Sequence, residues 1–158
     1  MRTDSHWNEL GGFFGYREIM RNLARYYPVK PWSLSDFRVE WNTPYVGDQA
    51  KILGMRNYFR EIIPLLLPLR PRQARIIRAA QKTSFLKQYR STETESGELP
   101  ITVMIHDSFF QRLMVYFSEH CRWAVCIWDK SRKFHSEEIL REKPGLVIEE
   151  MVERFFLD

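Results

Sequence analysis

The chain has 158 residues, 44% of them apolar and 28% charged. That length suits one domain, and the composition excludes disordered and collagen-like classes. The 24 Lys and Arg against 20 Asp and Glu leave a net charge of +4, too small to argue for a nucleic-acid partner. The longest apolar run, residues 62–69, is broken by Pro64 and Pro68 and falls well short of the ~20 residues that span a bilayer. Asp4, His6 and Glu9 exclude a secretory apolar core in the first twenty residues. Cys121 and Cys126 are too few for a disulfide framework, and their position at a strand start argues against a zinc knuckle. Aromatic residues reach 15%, which predicts a well-filled core, with cleft lining as a second use.

In chain order, Leu10, Phe13, Phe14, Ile19, Met20 and Leu23 fall at helical spacing and predict a helix over about 8–26. Gly11, Gly12 and Gly15 each cost that helix roughly 1 kcal/mol against Ala, and suggest close packing on their face. Residues 37–41 alternate, as in a half-exposed strand. Gly47-Asp48 is a candidate cap for a helical turn through Ile52, ended by Gly54. Residues 62–92 contain no acid, and Arg75, Arg78 and Lys82 would share one face of a helix. That run reads as a solvated face or as a polyanion contact. Residues 91–97 are polar and read as a surface loop.

The last third is the most regular. Residues 101–105 and 123–128 are apolar strands, and 146–148 a third. Helices are expected at 109–120, at 136–142 with a Ser cap and an end at Pro144-Gly145, and at 150–156. A βαβαβα order with near-continuous apolar strands predicts a parallel sheet covered on both faces, with reactive groups at the carboxyl ends of its strands.

Ser108 stands at such an end, in Ile105-His106-Asp107-Ser108-Phe109-Phe110. A hydroxyl after a buried strand and before a helix faces free N–H groups that can stabilise an oxyanion. The G-x-S-x-G elbow is absent, and Ser108 with Gln111 also forms a capping-box pattern, with Asp107 a second candidate cap. A Ser nucleophile needs a base and an orienting acid. His120 and His135 lie near predicted helix ends, suited to the dipole or the surface, and His106 points away from Asp107 on its strand. His6 remains, two residues after Asp4; there Asp4 and Ser5 could instead cap the first helix.

Asp4-Ser5-His6-Trp7 resembles the D-x-H-W segment of the AlgX/AlgJ-type SGNH-hydrolase-like family, the alginate O-acetyltransferase family. The resemblance continues at 47–54, at His106-Asp107-Ser108-Phe109 and at 143–154, in the family's order. It implies an α/β fold: a three-layer α/β/α sandwich with a mostly parallel sheet. Ser108 matches the nucleophile, His6 the base and Asp4 the orienting acid. The implied activity is transfer of an acetyl group through acetyl-serine to hydroxyls of an exported, alginate-like polysaccharide, with no metal, nucleotide or other cofactor. The partners would be that polysaccharide, an acetyl donor and export machinery, without nucleic acid or a transmembrane segment, in the periplasm or cell envelope. The Ser108 N–H is the local oxyanion donor; Gly47, Asn42 and Asn57 are candidates for others. His106 replaces the Gly of the wider superfamily. Family members carry an export signal and several strands before the D-x-H-W segment, so residues 1–158 are expected to form one partial domain. The alternative is a non-catalytic polysaccharide-binding protein that keeps the fold, with Ser108 buried as a cap.

Overall fold

The computed structural model describes residues 1–84, 87–129 and 134–153; at 42, 43, 80–84 and 87–89 it describes the backbone alone. The first helix, α1 (Glu9–Leu23), is capped by Asn8, whose side chain accepts from the Gly11 N–H at 2.9 Å. Asp4 and Ser5 are therefore free of the capping role. The glycines serve contact: a Cβ on Gly12 would lie 2.6 Å from Arg112 Cβ, and those on Gly11 and Gly15 would meet Trp7.

A 3-10 turn, Leu34–Asp36, leads into β1 (Phe37–Tyr45). This strand pairs antiparallel with β2 (Glu61–Pro68), so the proline-broken apolar run is a strand. Both prolines are tolerated because, among the described residues, β2 pairs with β1 alone. Its far side meets α1, where the Leu66 N–H donates to Glu9 Oε2. Between these strands lies α2 (Asp48–Ile52), headed by Gly47 and followed by Gly54 at φ +69°.

The second sheet has five strands: β3 (Arg75–Ser84), β4 (Lys87–Glu93), β5 (Thr102–His106), β6 (Trp123–Asp129) and β7 (Leu146–Glu150), in the order β3-β4-β6-β5-β7. The expected mostly parallel sheet is instead mixed. β6, β5 and β7 are parallel, linked by α3 (Gln111–Phe117) with a following 3-10 turn and by α4 (Ser136–Glu142). β3 and β4 form an antiparallel hairpin that adds to β6. Arg75, Arg78 and Lys82 thus lie on a strand, which suits Ile76-Ile77 better than a helix. Only the second half of 91–97 is a loop: Ser91 and Thr92 are buried in β4, which runs to Glu93, and buried Thr94 donates to Ser118 O, whereas Glu95 and Ser96 are exposed in a turn. The Thr92 hydroxyl is buried there with no hydrogen-bond partner among the described residues. The expected last helix also fails, because Glu150 ends β7 and residues 151–153 are not α-helical; 154–156 lie outside the described residues.

Alternation along β5 splits the core. Met104 faces a cluster with Phe13, Tyr16, Phe110 and Tyr116, supplied by α1 and α3. Val103 and Ile105 face Val125 and Ile127, with Ile139 of α4 against them. Each fully buried large side chain contributes about 1.5–3 kcal/mol of transfer free energy. Cys121 and Cys126 are buried free thiols, their pKa values pushed up to about 12 by burial.

Candidate active site

The segment before α1 is tied at several points. The Arg2 N–H and the Thr3 N–H and hydroxyl donate to the Glu61 carboxylate at the start of β2. The Gln49 and Ala50 N–H groups donate to Thr3 O, and the Gly47 N–H to Thr3 Oγ1. A Cβ on Gly47 would lie 2.0 Å from Thr3 O, so only glycine permits this contact. The Ser5 N–H and hydroxyl donate to Asp48. A short segment that would fray alone is thereby fixed.

On it, Asp4 is buried and accepts four hydrogen bonds. The His6 N–H (2.9 Å) and ring Nδ1 (2.8 Å) use Oδ1; the Tyr45 hydroxyl (2.6 Å) and the Asp48 N–H (3.0 Å) use Oδ2. Burial alone would raise its pKa. The bonds from Tyr45, His6 and Asp48 outweigh burial and hold the carboxyl well below the usual range. Burial and the neighbouring Asp4 charge raise the Tyr45 phenol.

A carboxylate on Nδ1 requires the proton there, which leaves His6 Nε2 as an acceptor. Nε2 lies 2.8 Å from Ser108 Oγ. Residues 102 positions apart are thus joined in one chain, Asp4–His6–Ser108. The His6 ring packs on Phe109, with centroids 4.7 Å apart, and the Trp7 indole donates to Phe109 O. Asp48 Oδ2 lies 3.5 Å from His6 Nδ1 as a second acid. Asp4, His6 and Asp48 are close enough to hold a cation. The atoms facing one another there are already committed to the hydrogen bonds above, so the cluster reads as an orienting network.

Ser108 sits in the turn between β5 and α3 and is partly exposed. The capping box does not form: the residue at the helix start is Phe110, with no side-chain cap. Asp107 instead accepts from the Phe109 N–H at 2.7 Å and from the Val152 N–H at 2.9 Å. The buried His106 donates its Nδ1–H to Asp107 O at 2.7 Å and braces the turn. Among the described residues, the Ser108 N–H has no hydrogen-bond acceptor. The Gly47 N–H is occupied by Thr3, Asn57 is exposed beyond α2, and the Asn42 side chain lies outside what is described.

His120 and His135 are buried, not surface residues. His120 bridges Tyr16 (2.6 Å) and Glu98 (2.9 Å), and His135 lies 2.8 Å from Asp129. A cavity of about 490 Å³ near Trp32, Arg70 and His120 takes in none of Asp4, His6 and Ser108. Tyr45 and Asp48 were not expected as partners of Asp4. Tyr45 lies past the expected strand end, and Asp48 reads locally as a helix cap.

Fold and site together define a mixed α/β protein with a serine, a histidine and an aspartate in hydrogen-bonded series. Comparison of the sequence with protein-family models and with curated proteins gives no match. Solved structures do match the fold. Bacillus cereus PatB1 with a sulfonyl adduct is 14% identical, with a TM-score of 0.70, and the match covers 95% of this chain and 59% of that one. A DHHW family protein from Eubacterium siraeum is 16% identical, with a TM-score of 0.69 and 95% and 57% coverage. The chain therefore spans about three fifths of the length of the solved structures it matches. No helix among the described residues is long and apolar enough to cross a membrane.

Proposed function

We propose that this chain carries the acyl-transfer site of an SGNH-like O-acetyltransferase of the AlgX/AlgJ type, with Ser108 as nucleophile, His6 as base and Asp4 as orienting acid. The observation that supports it is the 2.8 Å contact between His6 Nε2 and Ser108 Oγ, backed by 2.8 Å from Nδ1 to Asp4. Helices against both faces of the five-stranded sheet support the three-layer arrangement. A sulfonyl adduct is the kind of product an activated hydroxyl forms, and one structural neighbour holds one. The name DHHW, read as one-letter code, matches Asp4-Ser5-His6-Trp7 at three of four places.

In this reading His6 Nε2 takes the Ser108 proton as Oγ attacks the acetyl carbonyl carbon. The Ser108 N–H receives the developing oxyanion. The leaving group takes the proton from His6, and acetyl-Ser108 remains. An acceptor hydroxyl then gives its proton to His6, attacks the ester, and frees Ser108, which recovers that proton. The acceptor would be an exported, alginate-like polysaccharide in the periplasm or cell envelope. Water as acceptor makes the same site an esterase. The binding-protein alternative needs Ser108 as a buried cap, and its side chain is instead partly exposed and bound to His6.

The test is acetyl release from a small aryl acetate, with mass detection of acetyl-Ser108. Ser108→Ala should abolish both while leaving the melting temperature near that of the parent. Release that persists in Ser108→Ala would reject the assignment.

A further inference from the structure

We propose that the segment from Lys51 to Ile62 docks this protein on an anionic lipid bilayer. Ile52, Leu53 and Tyr58 are 82%, 68% and 83% exposed, and Phe59 is half exposed. Side chains that bare stand out from the surface. Scattered apolar residues need no explanation, but a cluster within a dozen positions does. Lys51, Arg56 and Arg60 alternate with them, all exposed, and residues 49–60 contain no acid. Glu61, the next acid, is committed to Arg2 and Thr3.

Protruding aliphatic and aromatic tips among basic residues fit the headgroup boundary. There the tips leave water, and the long basic side chains reach the phosphates. The charge pattern selects among occupants. A second copy on a two-fold axis would set this basic segment against another like it, with no acid at 49–60 in either to offset the charge. An anionic bilayer covers the apolar atoms and neutralises the cations together.

The segment is flanked by residues that hold the stretch 2–5 beside the site. Asp48 holds Ser5 and Asp4, and Glu61 holds Arg2 and Thr3. Docking would therefore set the neighbourhood of Asp4 and His6 close to the lipid surface. The binding itself does not depend on any catalytic reading.

The experiment is co-sedimentation of the full chain with phosphatidylglycerol vesicles and with phosphatidylcholine vesicles, at low and high salt. The parent should bind phosphatidylglycerol at least tenfold better, and less so at high salt. Leu53→Glu/Phe59→Glu should lose binding about tenfold or more, and Arg56→Glu/Arg60→Glu should lose the preference for anionic lipid. Ile76→Glu, at an exposed apolar site on the other sheet, should bind like the parent. Arg56 and Arg60 are both exposed, so the charge-reversal pair reads the proposal even if the apolar pair unfolds. Absence of parental binding, or binding indifferent to both double variants, overturns the proposal. So does a dimer in solution that Leu53→Glu/Phe59→Glu dissociates, which would assign the face to a second copy.

Discussion

Tyr45 donates its phenol proton to Asp4 Oδ2 at 2.6 Å, on the carboxylate oxygen that His6 leaves free. β1 thereby orients the acid that orients the histidine. In Tyr45→Phe this donor is lost, while the Asp48 N–H remains on the same oxygen. A hydrogen bond to a charged group is worth about 1.5–3 kcal/mol. Part of that should appear as a roughly tenfold fall in the rate of aryl acetate turnover, with substrate affinity little changed. Steady-state kinetics of the folded variant, read as kcat against KM, check this.

Asp4 also couples the site to acid stability. Its carboxyl is held below the ordinary value of 3.8, because four hydrogen bonds outweigh the effect of burial. A depressed acid contributes stability that is present above the unfolded value and lost as pH falls through the folded one. Asp4→Asn should therefore be less stable than the parent at pH 7. The gap should narrow as pH drops below about 3.8. Urea unfolding at pH 7 and pH 3 measures it, and a gap of constant size would mean that the Asp4 charge adds nothing to folding.

The parallel β5-α3-β6-α4-β7 unit was legible because its strands are apolar and its turns are marked by Ser136, Pro144 and Gly145. The β3-β4 hairpin was not, because Arg75, Arg78 and the Ser91-Thr92 pair look like surface, although the two hydroxyl residues are interior. Short polar side chains in a central strand give no alternation to read. At the site, Ser108 was visible from its place after a buried strand. Its approach to His6 depends on how residues 2–6 lie across α2 and β2, through bonds such as Thr3 to Glu61. No local pattern encodes contacts between residues 58 positions apart.

Gly47 tests that anchoring directly. Alanine there would put a Cβ 2.0 Å from the Thr3 carbonyl oxygen, a backbone atom without freedom to swing away. Overpacking of this kind costs about 1–3 kcal/mol. The relief available is movement of residues 2–6, which shifts Asp4 and His6. A displacement near 1 Å can cost about a hundredfold in rate. Gly47→Ala should thus lose turnover by up to about a hundredfold as well as about 1–3 kcal/mol of stability. A loss of stability with turnover unchanged in the folded fraction would mean that residues 2–6 are not held by this contact.

The turn under Ser108 rests on a half-buried acid of shifted pKa, Glu150. The Asp107 N–H donates to Glu150 Oε2 at 3.3 Å, where the end of β5 meets the end of β7. Burial first, and the Asp107 charge second, push the Glu150 carboxyl up to about 7. Between its ordinary 4.5 and that value, the folded chain keeps a proton that the unfolded chain has released. Stability from this group therefore falls as pH rises from 4.5 to about 7 and is flat beyond. Glu150→Gln resembles the protonated acid and lacks that loss. Its melting temperature should match the parent near pH 5 and exceed it by a few degrees at pH 8. If the variant melts lower at pH 8, the ionised Glu150 is a net support of the turn, and the pair brings Ser108 into place by attraction to the Asp107 N–H.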